Sequence, residues 1–291
     1  MMAHLKKQSY QAYLARRHSV AFLLVWALLL ACGSAGRAAI TVTPQVLFMG
    51  ANQRSAHVHV NNPGDNPLEV WVDFKYGYHV SDDTGKIIEV MTDTLQPDDR
   101  SAAKWVKAYP DRFTLGAGET QVVRFVVSSP QATVPGEYWA RIIIYSKDQK
   151  KPHIAGKPGF GAAFDMIAAT SIPFQYRYGE VSTGLDLVRS IEYHATDKVC
   201  SVLLPVRRTG NASYWGTARC TILNGGKPVA GQDFNIVVYK DLTYKMDIDR
   251  SKVPPGDYSL QIDVRAERTD IRNSDILKAE LKTWTIPITL K

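Results

Sequence analysis

The sequence predicts an all-β protein built from two β-sandwich domains held at a fixed angle. Three observations carry this reading. After residue 38, apolar and polar residues alternate in short runs bounded by Gly, Pro, Asn and Asp, and no stretch there sustains a helical period. The motif Val134-Pro-Gly-Glu-Tyr138 returns as Pro254-Pro-Gly-Asp-Tyr258, each time opening an alternating strand, with Gly136 and Gly256 120 residues apart. Without its first 38 residues the 291-residue chain retains about 250, which suits two sandwiches of about 100–130 residues each.

The elements follow in order from alternation and turn residues. In the first domain, residues 39–178, strands are expected over 40–48, 56–61, 68–76, 105–107, 120–128, 138–146 and 163–178. Ala56, Val58 and Val60 point to a core while His57 and His59 share the opposite face; Val123, Phe125 and Val127 likewise alternate with Val122, Arg124 and Val126. The second domain, residues 179–291, is expected to hold strands over 185–193, 199–207, 214–223, 228–239, 243–249, 257–266 and 276–290. From the turn glycine to the Pro-Gly glycine is 72 residues in the first half (Gly64 to Gly136) and 46 in the second (Gly210 to Gly256), so the first domain carries an insertion, placed in the polar residues 79–108. The boundary near 178–183 follows a long strand instead of a flexible linker. That predicts a fixed interdomain angle with a groove along the junction.

The first 38 residues hold Lys6, Lys7, Arg16, Arg17 and Arg37, no Asp or Glu, and an apolar run from Val20 to Ala31. This is the pattern of a secretory signal, too short to span a bilayer as a helix, with cleavage expected before Ala39. Leu29-Leu-Ala-Cys32-Gly offers an alternative, lipidation of Cys32 and a membrane tether. Five of the 35 basic residues lie in this leader, leaving 30 against 28 acidic ones. The basic character is therefore mostly a property of the leader, which argues against a nucleic-acid partner.

Export places Cys200 and Cys220, on neighbouring expected strands, in an oxidising compartment, where a single disulfide is expected; two buried free thiols are the alternative. Asn211-Ala-Ser213 fits a glycosylation sequon and is read as turn chemistry. No motif supports an enzyme: the histidines are scattered, no Gly-x-Ser-x-Gly elbow occurs, and Gly156 to Gly161 do not follow a strand and open a helix as a phosphate loop does. His57 and His59 supply at most half of a metal site. No cofactor, metal or small-molecule substrate is expected.

Phe113-Thr-Leu-Gly-Ala-Gly-Glu-Thr-Gln-Val-Val-Arg124-Phe, then Pro135-Gly-Glu137-Tyr138-Trp139-Ala-Arg141-Ile, and the segment ending Ile172-Pro-Phe-Gln-Tyr-Arg177 resemble the N-terminal domain of periplasmic pilus-assembly chaperones. That family holds unfolded fibre subunits on an immunoglobulin-like domain, so the resemblance implies two immunoglobulin-like sandwiches and a binding function in the periplasm. The implied partners are fibre or pilus subunits and an outer-membrane usher. In the family, alternate apolar residues of the first domain's last strand insert into a subunit that lacks its own final strand. The matching residues are Phe164, Met166 and Ala168, with Ile172 further along; the alternative is that they pack inside their own sandwich. Arg177 and Glu137 match a buried interdomain ion pair to which the second domain adds an aspartate, Asp270 or Asp275. The family's two basic anchors for the subunit's terminal carboxylate correspond to Gln45 and Pro173, so either other residues hold that group or the client is not a typical pilin. The rival to a chaperone is a secreted or lipid-anchored structural or adhesive surface protein made of the same sandwiches.

Overall fold

The computed structural model describes residues 40–53, 55–131, 133–149, 154–155, 162–163 and 166–291. The leader with Cys32, the cleavage position at Ala39, the Gly156 to Gly161 loop and Phe164 lie outside the described residues.

Residues up to 178 form β1 (Thr41–Thr43), β2 (Leu47–Gly50), β3 (Ala56–Asn61), β4 (Leu68–Ser81), β5 (Ile87–Thr92), β6 (Val106–Tyr109), β7 (Arg112–Leu115), β8 (Thr120–Val127), β9 (Gly136–Asp148), β10 (Ile154–Ala155), β11 (Ala162–Ala163) and β12 (Ile167–Tyr178). The rest forms β13 (Thr183–Leu187), β14 (Glu192–Ala195), β15 (Val199–Gly210), β16 (Tyr214–Asn224), β17 (Lys227–Val238), β18 (Leu242–Asp249), β19 (Gly256–Arg265) and β20 (Lys282–Leu290). A 3₁₀ turn at Asn273–Asp275 is the only helical element among the described residues.

These strands make two sandwiches. In the first, the sheet β1-β3-β8-β6 packs on β2-β12-β9-β4-β5, with β7 paired to β4. The alternation dictates the packing: Val58, Val123 and Phe125 point inward from one sheet, Ile142, Ile144 and Phe174 from the other, and His57 and Arg124 are left outside. Each such side chain contributes about 1.5–3 kcal/mol when fully buried. In the second, β15 pairs with β13 and β14 along one edge and β18 along the other, opposite a sheet ordered β17-β16-β19-β20. Its core gathers Val202, Leu204, Ile222, Ile236, Leu260 and Ile262.

Several expected elements differ. Instead of one strand over 40–48, the chain pairs β1 with β3 in one sheet and then crosses at Pro44 to run β2 parallel to β12 in the other. The expected 185–193 is two strands, β13 and β14. The final strand starts at Lys282, after the 3₁₀ turn, and not at 276. Within the expected insertion, β4 runs on to Ser81 and returns as β5, a hairpin that the sequence reading did not resolve.

A third apolar cluster lies where the sandwiches meet: Phe48, Tyr76 and Trp139 from the first, Trp215, Val237, Tyr239, Ile271 and Ile276 from the second. Gln175, fully buried, donates from Nε2 to the Tyr239 hydroxyl at 2.7 Å. The β4–β5 hairpin straps across the same junction. Ser81 Oγ accepts from Thr243 N at 2.8 Å, Gly85 O accepts from Lys245 N at 3.1 Å, and Ile87 packs against the second core. Gly85 has φ +80°, and a Cβ there would stand 2.9 Å from Lys245 N, so this approach needs glycine. Lys240 completes the strap, its Nζ 2.7 Å from Asp99 and 4.1 Å from the Tyr78 ring centroid.

Candidate functional site

The candidate site is the outer edge of β12. Along Ile167–Tyr178 one side of this strand is fully paired with β9, from Ile167↔Lys147 to Tyr178↔Gly136. The other side is covered by β2 only at Phe174 to Arg177. Ile167 to Pro173 therefore present an unpaired edge.

Pro173 fixes which backbone groups face outward. A proline lacks the N–H and is accommodated in a sheet where its nitrogen points away from the paired neighbour. With Pro173 N turned to the open side, alternation turns the N–H and C=O groups of Ile167, Ala169 and Ser171 the same way, and those of Gln175 and Arg177 toward β2. The edge thus offers three donors before the proline ends the run. Its side chains are uncharged and mostly apolar: Met166 is 73% and Ile167 53% exposed, Ala169 is exposed, and Ala168 and Thr170 are half-buried. Ser171 Oγ, at the same edge, is buried without a hydrogen-bond partner.

Of the residues expected to engage a client, Met166 and Ala168 thus stand at the open end of the strand. Ile172 does not: it is 3% exposed and packs in its own sandwich with Ile142 and Phe174. The cause is the position where the facing sheet begins to cover β12, after which every even-numbered residue is core.

At the other end of β12 the sequence-expected ion pair is formed and buried. Arg177 Nε lies 2.9 Å from Glu137 Oε2, with the carboxylate fully buried and the guanidinium 13% exposed and seated 4.7 Å from the Phe48 ring centroid. The second sandwich contributes Ser213 instead of an aspartate. Ser213 N donates to Glu137 Oε1 at 3.0 Å, Ser213 Oγ donates to the same oxygen, and Trp215 Nε1 donates to Ser213 Oγ at 2.9 Å. Asp270 instead pairs with Arg268, at 2.8 Å from its Nε, and Asp275 with Arg272 at 2.9 Å. Backbone groups close the contact, with Glu137 N donating to Asn211 O at 3.0 Å. Gly136 has φ +150°, a backbone conformation that L side chains rarely adopt, which explains glycine in the Pro135-Gly136-Glu137 turn. Asn211 is engaged in the turn: its Oδ1 accepts from Ser182 N at 2.9 Å and its Nδ2 donates to Glu180 O at 3.0 Å.

Gln45, at one expected anchor position, lines a cleft of about 440 Å³ between the sandwiches, shared with Phe48 and His57 on one side and Ile271 and Arg272 on the other. The His57 and His59 rings stand edge to face at 5.6 Å, both exposed. Among the described residues no group of three or more His, Cys, Asp and Glu is placed to hold a metal.

The expected Cys200–Cys220 bridge is absent, and both are free buried thiols. Cys200 lies on β15 and Cys220 on β16, which belong to opposite sheets of the second sandwich, so being neighbours in sequence does not make them neighbours in a ladder. Cys220 Sγ sits 3.7 Å from Met246 Sδ. Burial pushes the Cys220 thiol up to about 12 and raises Cys200 as well, so both behave as small apolar side chains.

No family model and no curated protein matches this chain. Among solved structures it is similar to the chaperone in a pre-assembly complex with the tip adhesion subunit of the Csu pili of Acinetobacter baumannii, with 15% identity, 84% of this chain and 97% of that chain covered, and a TM-score of 0.43. It is also similar to the SafB chaperone in complex with the SafA pilin of Salmonella enterica, with 13% identity, coverage of 87% and 99%, and a TM-score of 0.40. A third is the CupB2 chaperone of Pseudomonas aeruginosa, with 10% identity, coverage of 86% and 100%, and a TM-score of 0.38.

Proposed function

We propose that this protein is a periplasmic chaperone that binds fibre subunits lacking a strand of their own, by lending them the open edge of β12. The unpaired run from Ile167 to Pro173, backed over its full length by β9 and preceded by the exposed Met166, carries the reading. β-Augmentation needs little more: outward N–H and C=O groups supply generic affinity, and alternating side chains complete the partner's core. Nothing in the process calls for a cofactor or for bond chemistry. In this reading residues 1–38 are removed on export, residues 39–178 form the client-binding domain and 179–291 the second, and Phe164 extends the inserting face begun by Met166 and Ala168. An outer-membrane usher is the receptor to which the complex is delivered.

Two substitutions test it. Met166→Glu should abolish capture of a strand-deficient fibre subunit co-expressed in the periplasm, because an unpaired carboxylate entering an apolar groove costs several kcal/mol. Ala169→Pro removes an outward N–H without touching the β9 ladder, so it too should abolish capture while leaving thermal unfolding nearly unchanged. Folded variants that still hold the subunit at wild-type affinity would sink the donated-strand mechanism and favour a passive surface module.

A further inference from the structure

The sheet that carries the β12 edge ends, three strands away, in a second open edge of a different kind. β5 pairs with β4 from Tyr76↔Thr92 to Ser81↔Ile87, and no described strand lies beyond it. Its sequence, Ile87-Ile88-Glu89-Val90-Met91-Thr92, has Ile88 and Met91 exposed, with exposed Leu95 just after.

The other long edges are each blocked. Apart from the β12 edge already described, β17 carries Pro228 and a register shift beside it, and β20 carries Pro287. β18 exposes Lys245, Asp247 and Asp249, and the hairpin tip covers it at Thr243 and Lys245. Proline, bulges and charge are the usual means by which an edge avoids pairing with another chain. β5 has no proline, no bulge and one charged residue, Glu89, which is drawn back onto its own sheet by Arg141 Nε at 2.7 Å.

We propose that β5 pairs antiparallel with β5 of a second copy of this chain, in the register that sets Val90 opposite Val90 of that copy. A twofold axis perpendicular to a continuous sheet allows only registers in which residues of the same face meet. Centring on Glu89 would place two carboxylates opposite each other. Centring on Val90 places Ile88 opposite Thr92 and Glu89 opposite Met91, with no like charges facing. The strand is flanked by Lys86 at one end and by Asp93 at the other, where Asp93 is held by Lys75 Nζ at 2.7 Å, so the antiparallel arrangement sets no like charges side by side at either end. The two sheets would then continue as one, and each open β12 edge stays free, since Ile167 to Pro173 lie level with Glu69 to Lys75 of β4 whereas β5 pairs with Tyr76 to Ser81. The interface rests on β5 and is independent of what β12 binds.

Sedimentation of the exported protein over a concentration series should show dimers forming at about 10–100 μM, the range fitting a contact smaller than a standard interface. Val90→Lys and Val90→Glu should each weaken the dimer at least tenfold, because each opposes itself. An equimolar mixture of the two should restore it, which misfolding of either variant would not produce. Subunit capture through β12 should be unchanged in both. A wild-type protein that remains monomeric throughout the series, a dimer unaffected by the two variants, or a mixture that stays monomeric overturns the proposal.

Discussion

Glu137 shows how one buried side chain ties the two halves of this protein together. Its carboxylate is fully buried, and removing it would strand Arg177 against the Phe48 ring with no counter-charge. Glu137→Gln should therefore cost about 3–5 kcal/mol in chemical denaturation, the usual consequence of breaking a buried pair from one side. Ser213→Ala removes only one donor and leaves the Ser213 backbone N–H in place, so it should cost less, about 1–3 kcal/mol. Losses under about 0.5 kcal/mol for both would show that the contact is a surface-like pair and not an interdomain anchor. The Arg177 and Glu137 pair was legible only through the resemblance to the chaperone family's motifs. Ser213 was not, because an uncharged donor supplied across a turn carries no signature in the sequence; its only trace was the Asn211-Ala-Ser213 turn pattern.

At the level of elements, what the sequence conveyed well was alternation. Strands with one clean apolar face, such as β3 with Ala56, Val58 and Val60 inward, start and stop where the pattern does. The β4–β5 hairpin escaped notice because both its faces are occupied. Tyr76 and Tyr78 meet Lys240 on one side, while His79 and Ile87 meet the second sandwich on the other, so no two-residue period shows. The open edge of β12 was legible in its side chains, but its limits come from β2, whose pairing begins only at Phe174. His79 makes the hairpin sensitive to acid. Burial, with the Arg141 charge adding to it, lowers this imidazole to about 4. Its Nε2 accepts from Arg141 Nη2 at 3.0 Å, which requires the neutral ring. Glu89 pairs with Arg141 on the same face, and the Tyr239 ring packs edge-on from the second sandwich. Since the folded value lies below the unfolded value of about 6.5, the unfolded chain takes up the proton first as pH falls. The stability from neutral His79 is complete above about pH 6.5, declines down to about 4 and is gone below that, a loss of at most about 3 kcal/mol. Melting temperatures of the wild type and His79→Gln should thus converge as pH falls from 7 to 4. Parallel curves over that range would exclude His79 as the source.

For the molecule as a whole, the decisive property is that two sandwiches with separate cores share a third, aromatic cluster and are strapped together by a hairpin belonging to the first. A junction that buries Trp139, Tyr239 and Trp215 with a hydrogen-bonded Gln175 does not behave like the polar, sliding interface of a flexible domain pair. A fixed angle also has a use in the proposed function. It holds the cleft lined by Gln45 and Arg272 in constant relation to the β12 edge, so that a client meets both as one surface. The hairpin tip can be removed without disturbing its own ladder, because Val80 and Ile88 are paired and a two-residue Asn-Gly turn can join them directly. Replacing residues 81–87 in this way deletes the Ser81, Gly85 and Ile87 contacts to the second sandwich and leaves Asp99–Lys240 and the aromatic cluster. The expected result is a broader distribution of distances between spin labels placed on β8 and β19, and thermal unfolding that separates into two transitions. The angle is set by the aromatic cluster alone if the shortened variant gives the wild-type distance distribution and one cooperative transition, and the hairpin would then have no part in holding the sandwiches together.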